Sequence, residues 1–383
     1  MDFLSNIRNL LKADTVISHS ANFWLNTRAS VIMHSFFLII IFGKQVWGPA
    51  LECNSLETLD AGLSTSYCWN QDTYTIRPTY FPPMRNNTLI RQSSTDPWIP
   101  VALGKFGSED HKRSIEEIHR IRMFHSHYPF IPLIIAISLL MFSGAGILWR
   151  CKEGGFLKNA IEGCNYLPDS DQKIEVLALR LQRKLFDEPR ESVKCYFDWY
   201  LICELLVTIN IPIQWCALNI ILHNEFLPYG VRFMMYIAAA HTGDTTYPNP
   251  ISILFPATSA CDRESFGTGG SKISTATCVM NLNQIYGIIF IVVWIWYSFL
   301  AIFASVSFAA TLFGMSSIHI RRFALMASNI YSHGLKNKWR WDSVCKAMTI
   351  QDWHVVQLYK KNVNPRIFDC FMEKISKRIS EIV

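Results

Sequence analysis

The side chains with the most chemistry to offer are the eleven cysteines. A thiol pair in an oxidising compartment closes a disulfide, whereas in the cytosol it stays reduced. Cys68 stands in a polar stretch, "YCWNQDTY" (67–74), where a mere core filler would be out of place. Metal ligation is not expected of the cysteines, because neither a CxxC pair nor clustered histidines accompany them. The chain has no G-x-S-x-G elbow, Walker A loop, HExxH helix or Gly-rich dinucleotide turn. His125 and His127 have no paired nucleophile, and "SFGTGGSK" (265–272) has the glycines and lysine of a phosphate loop without a helix to follow. That stretch reads as a flexible loop between two cysteines. No enzyme, cofactor or metal is expected. The formal charge of +6 is too mild for a nucleic-acid partner.

Whether the cysteines oxidise depends on the elements that carry them. Half of the 383 residues are apolar and 17% are charged, a balance that suits a chain partly dissolved in lipid. A helix needs about 20 mainly apolar residues to cross a bilayer. Four stretches qualify: 29–47, 128–149, 200–222 and 285–313. The first twenty residues carry an acidic second residue and no small-residue cleavage site, so the first apolar run reads as a retained span. The third span is the most polar. Its Glu204, Asn210 and Gln214 must face protein or water, since lipid offers them no partner. Glu204 is expected to line a water-filled vestibule or to accept hydrogen bonds from a neighbouring subunit.

Lys and Arg gather after span 2 ("RCKEGGFLK", "RLQRKLFDEPRESVK") and after span 4 ("HIRRF", "KNKWR"), whereas the 223–284 segment has only Arg232, Arg263 and Lys272. Positive charge marks the cytoplasmic side. Both termini, 1–28 and 314–383, are therefore expected inside with 150–199, and 48–127 and 223–284 outside. Cys53 and Cys68 then share the first outside loop, and Cys261 and Cys278 the second. An even count in the oxidising compartment implies disulfides, and four cysteines allow three pairings. The first loop also holds the only N-x-S/T sequon, at Asn86, a candidate glycosylation site.

This plan, with its motifs, resembles the innexin family of gap-junction proteins. "YCWNQDTY" is similar to the family's first-loop signature, YCW followed by TY. "FPATSAC" (255–261) resembles its Phe-Pro approach to the second-loop cysteine, and "CVMNLNQIYGIIFIVVWIW" (278–296) its fourth span. "HYPFIP" (127–132) stands where innexins carry a tyrosine-rich YYQWVP. The likeness runs from about 20 to 315. His127, Pro129, Phe130, Ala260, Gly287 and Ile288 depart from the family's usual residues. Connexins carry three cysteines per outside loop, and tetraspanin and claudin signatures are absent; pannexins share the two-plus-two plan.

The resemblance implies an all-α membrane protein, a four-transmembrane-helix channel subunit with disulfide-linked extracellular loops and a helical cytoplasmic domain. It implies a plasma-membrane, gap-junction location and an oligomer of about eight identical or mixed related subunits, able to dock with an apposed hemichannel. The alternatives are a pannexin-like hemichannel that never docks, or a non-conducting four-span adhesion or scaffold protein. The pairs implied are Cys53 with Cys278 and Cys68 with Cys261, with Tyr67, Trp69 and Tyr74 packed around the second bridge and "NQDT" facing water or the pore mouth.

Further expectations concern the pore. Phe3, Leu4, Ile7, Leu10 and Leu11 recur at helical spacing. The resemblance implies that this segment folds into the pore, making Asp2, Phe3, Leu4 and Ile7 gating candidates; the alternative is a helix lying on membrane lipid. Lys44 either borders the pore with Glu52 nearby or snorkels to the headgroups. Pro132 either kinks span 2 or marks where its helix begins. Helices are expected over 169–186, 352–365 and 366–383, the last with Ile367, Phe371, Ile375, Ile379 and Ile382 on one face.

Overall fold

The structure is a computed structural model that describes residues 16–54, 61–76, 122–166, 170–187, 189–243, 249–267, 270–317, 319–321 and 344–382. In chain order the elements are α1 (Ala21–Trp24), a π-turn (Leu25–Ala29), α2 (Ser30–Trp47), β1 (Leu51–Asn54), α3 (Ala61–Asn70), β2 (Tyr74–Ile76), β3 (Arg122–Phe124), a 3-10 turn (Tyr128–Phe130), α4 (Ile131–Glu153), α5 (Phe156–Ala160), α6 (Asp171–Phe186), α7 (Arg190–Ile221), α8 (Phe226–Thr242), α9 (Pro250–Leu254), β4 (Thr258–Gly267), β5 (Gly270–Met280), α10 (Asn283–Ser316), α11 (Ile350–Asn362) and α12 (Pro365–Ile382). The chain is mostly helical, as expected. Four helical stretches are long and apolar enough to cross a membrane: Ala21–Val46, Tyr128–Ala160, Glu191–Ile221 and Asn283–Gly314. Their outward faces are apolar (Phe36, Ile39, Leu140, Ile202, Ile302 and Val306 are all exposed), which suits lipid as their solvent.

The chain forms two compact units. The first comprises 1–32, 140–212 and 299–383. Its core is helical: Ile174, Ala178, Leu181 and Leu185 of α6 meet Ile367, Phe371 and Ile375 of α12, all buried. The i, i+4 spacing of these residues puts each set on one helix face, so two amphipathic helices close on each other. Lys374 to Glu175 and Arg378 to Asp187 bridge their rims at 2.6 and 2.9 Å. α11 begins at Ile350, two residues before the expected start. Thr349 caps it, accepting from the Asp352 N–H while Asp352 reaches back to the Thr349 N–H. α12 opens on Pro365, which costs nothing at a first helical position.

The second unit comprises 33–139 and 213–298. Its centre is an antiparallel five-stranded sheet of order β1-β5-β4-β2-β3. The alternation that builds it is plain in β5, where Ala276, Cys278 and Met280 are buried and Thr277 and Val279 exposed. The expected flexible loop at 265–272 is corrected. Ser265 to Gly267 pair with Gly270 to Lys272 as the outer rungs of the β4–β5 ladder. Its glycines serve a hairpin end, where Gly270 takes φ 113, a conformation side chains disfavour.

The segment after span 3 also held an unexpected helix, α8. It packs against α10: a Cβ at Gly230 would lie 2.1 Å from the Trp294 ring, so no larger residue fits there. Trp294 Nε1 donates to the Leu227 carbonyl at 3.1 Å, and Tyr229 Oη donates to that of Gly287 at 3.0 Å. At 17 residues α8 reaches about 25 Å, short of a bilayer core.

Candidate functional site

In the second unit, two disulfides bind both interspan segments into one body. Cys53 of β1 stands directly opposite Cys278 of β5 in the ladder, with Cα atoms 4.0 Å apart, and the two are bonded. Cys68 sits on α3 and is bonded to Cys261 of β4, Cα to Cα 6.0 Å. All four are buried. The period-2 pattern sends Cys53 and Cys278 to the same face, and α3 lies where Cys68 meets the neighbouring strand. The Cys53 N–H donates to Thr65 Oγ1 of α3 at 3.0 Å, so α3 is tied to β1 as well as to β4.

A polar bracket holds the sheet's other edge. Arg122 pairs with Asp262 at 2.9 Å and lies over the Tyr74 ring, 4.0 Å from its centroid. Tyr74 Oη and Thr275 Oγ1 both donate to Asp262, at 3.0 and 2.8 Å. Burial, followed by the charge of Asp262, pushes the Tyr74 hydroxyl up to about 12, so it remains a donor throughout the physiological range. The bracket thus ties β2 and β3 to β4 and β5. Around the Cys68 bridge, Tyr74 is buried and Tyr67 half-buried, as expected, but Trp69 is partly exposed and meets Tyr128 edge-on at 5.7 Å. Asn70, Gln71 and Asp72 face outward, whereas Thr73 is buried, against expectation, because its carbonyl accepts from the His125 N–H.

In the first unit the root of span 1 is held by polar groups. Glu204 of α7 is fully buried. Its carboxylate accepts from Ser20 Oγ and from Asn22 Nδ2, each at 3.0 Å. This corrects the expectation of a vestibule or of donors from a neighbouring subunit: the partners come from the same chain, 184 and 182 residues away. Asn22 in turn accepts from Asn26 Nδ2 at 3.0 Å. Ser18 Oγ accepts from Trp149 Nε1 at 3.3 Å, and Asn362 grips the Ile17 peptide twice, accepting from its N–H at 2.6 Å and donating to its carbonyl at 2.8 Å. Nearby, His354 packs against Tyr200, centroids 4.2 Å apart, and burial lowers its imidazole to about 3. Polar residues within spans of the second unit are likewise paired: Tyr297 Oη donates to Gln214 Oε1 at 2.7 Å and lies 3.0 Å from His34 Nε2.

The remaining predicted residues fall out as follows. Asp2, Phe3, Leu4, Ile7 and Asn86 lie outside the described residues. Lys44 is exposed near the end of α2, and Glu52 is exposed on β1 opposite Val279. Pro132 sits in the first turn of α4, where its missing N–H leaves no intrahelical bond unmade. The proline that does interrupt a span is Pro212, inside α7, where it denies the Thr208 carbonyl its usual donor. It went unremarked in the sequence, although a proline mid-way through an apolar run is a readable signal. The clamp on residues 17–22 had no such signal beyond Glu204 itself.

The innexin family model matches residues 20–379. Among similar proteins, innexin inx2 of Schistocerca americana is 23% identical over 382 residues, covering 99% of this chain and 98% of that protein. Innexin inx2 of Drosophila melanogaster is 21% identical over 380 residues (99% and 96%), and innexin shaking-B of the same fly 22% over 392 residues (99% and 95%).

Proposed function

The chain belongs to the innexin family, and from that premise we propose that it is one subunit of a large-pore channel passing ions and small solutes between adjacent cells or across the plasma membrane. Membership makes it a multi-pass membrane protein of a channel family and not an enzyme. The observation that carries the proposal is the disulfide-tied sheet. Bridges Cys53–Cys278 and Cys68–Cys261 join segments 225 and 193 residues apart into one preorganised body, and a surface that must meet an apposed copy loses least on binding when it is already ordered.

On this reading the sheet faces outward and both termini inward, with about eight subunits, identical or mixed, around the pore. Asp2, Phe3, Leu4 and Ile7 line or gate it from the inner side. The nearest described stretch, residues 17–22, is clamped to α4, α7 and α11, which supports the funnel reading over a loose surface helix. Lys44 and Glu52 stand at the outer mouth. A second reading, a hemichannel that does not dock, draws support from the Asn86 sequon, since a glycan there would hold two caps apart.

Dual voltage clamp on paired cells expressing only this protein, with single-cell membrane conductance recorded alongside, tests both. Current between cells supports the junctional channel. Current across single-cell membranes alone supports the non-docking hemichannel. Silence in both, with the protein at the surface, would overturn channel function for this chain acting alone. An N-glycosidase mobility shift abolished by Asn86→Gln would add weight to the second reading.

A further inference from the structure

We propose that His125, His127 and His223 form a binding site for a divalent transition metal ion of the zinc class. All three belong to the second unit. His125 follows β3, His127 precedes the 3-10 turn that leads into α4, and His223 follows α7 with φ 53. The rings of His125 and His127 have centroids 5.9 Å apart, and those of His127 and His223 6.4 Å.

Two of these rings are buried with a nitrogen unmatched. His125 and His127 are 2% and 6% exposed, and the Nδ1 of each has no hydrogen-bond partner among the described residues. A buried polar atom without a partner is destabilising, and here two occur in one cluster. His125 Nε2 lies 2.8 Å from Thr75 Oγ1. With the proton on Nε2 donating to Thr75, Nδ1 carries a free lone pair, and Thr75 fixes the ring as the outer partner of a metal-bound imidazole does.

Calcium and magnesium take oxygen ligands, whereas imidazole suits zinc, copper and nickel.

The nitrogens are not yet converged. Among the described residues, the one group of three metal-type ligand atoms within 4.8 Å of each other is Cys53, Cys68 and Cys278, whose sulfurs the disulfides occupy. A tetrahedral ion about 2.1 Å from each nitrogen sets ring centroids roughly 5 Å apart, so His125 and His223 must each close on His127 by about 1 Å and His223 must also approach His125. His223 is exposed at the end of α7. Binding would therefore draw His223 inward and fasten the end of α7 to the start of α4.

The test uses full-length protein in detergent, with its free thiols alkylated so that exposed Cys151, Cys195 and Cys216 cannot ligate. After chelator treatment and desalting, it is titrated with ZnCl2, reading bound zinc per subunit and the thermal midpoint. The expected result is one saturable Zn2+ per subunit and a raised midpoint. His223→Asn, which keeps a residue tolerant of the left-handed backbone, should weaken binding at least about tenfold, and His127→Gln should do the same. Absence of saturable binding in the wild-type protein would overturn the proposal. So would undiminished affinity in His223→Asn, whose surface position keeps that variant folded and decisive. Neither readout depends on whether the pore conducts.

Discussion

The two units solve the problem of permanence differently. The sheet of the second unit closes segments far apart in sequence, and it does so with two covalent bonds, an antiparallel ladder and the Arg122–Asp262–Tyr74 bracket. Its strands β1, β2 and β3 run only three or four residues, too short to hold by pairing alone. The helical bundle of the first unit also joins distant segments, α6 and α12, but without a crosslink: its Cys164, Cys203, Cys345 and Cys370 are free thiols, the first three buried in the core. It relies on continuous apolar faces. The contrast teaches that chain separation alone does not demand a disulfide. What matters is how much apolar surface each segment brings, and a three-residue strand brings little.

The largest effect should come from the covalent side. With Cys68–Cys261 still closed, Cys53→Ser with Cys278→Ser opens the loop running through 53–68 and 261–278, which in the chain-entropy account is worth roughly 4 kcal/mol. Limited proteolysis should then cut within 51–76 and 258–280 while α11 and α12 stay protected; equal loss of protection in both units would break the contrast. Next comes the bundle's packing. Phe371 is fully buried between α6, α11 and the rest of the core, so Phe371→Ala should cost about 3–5 kcal/mol, read from the bundle's denaturant midpoint with the disulfides still formed.

Acid should find the bundle too. The folded-state value of His354, about 3, lies below the ordinary 6.5. Its contribution is therefore fully present above pH 6.5 and is lost as pH falls toward 3, amounting to about 2–3 kcal/mol between pH 7 and 4.5. His354→Phe should flatten that part of the stability–pH curve; an unchanged slope would refute the assignment. The smallest effect should come from the clamp. Asn362→Ala removes two hydrogen bonds to Ile17, worth about 1–2 kcal/mol together. The readout is faster amide exchange at residues 17–22 with the α6–α12 core unchanged.

Much of the plan was legible. The four spans show as apolar runs because a bilayer demands length and composition, both local properties. The two-plus-two cysteines followed from charge asymmetry around those spans, and their pairing from the innexin likeness. α12 showed its buried face through spacing alone, since a helix repeats every 3.6 residues wherever it lies. The five-stranded sheet was not legible: β1 to β3 are too short to display a period, and the β4–β5 end was disguised by glycines that suggested a loop.

Composition and order along the chain thus determined which segments enter lipid, which cysteines can oxidise and which helices have a face to bury, because each depends on neighbours in sequence. Tertiary structure alone decided that Glu204 answers to Ser20 and Asn22, that Asp262 gathers Arg122, Tyr74 and Thr275, and that His223 stands beside His127. A buried polar group must be matched wherever the fold places a partner, and nothing in the spacing of these residues along the chain says where that is.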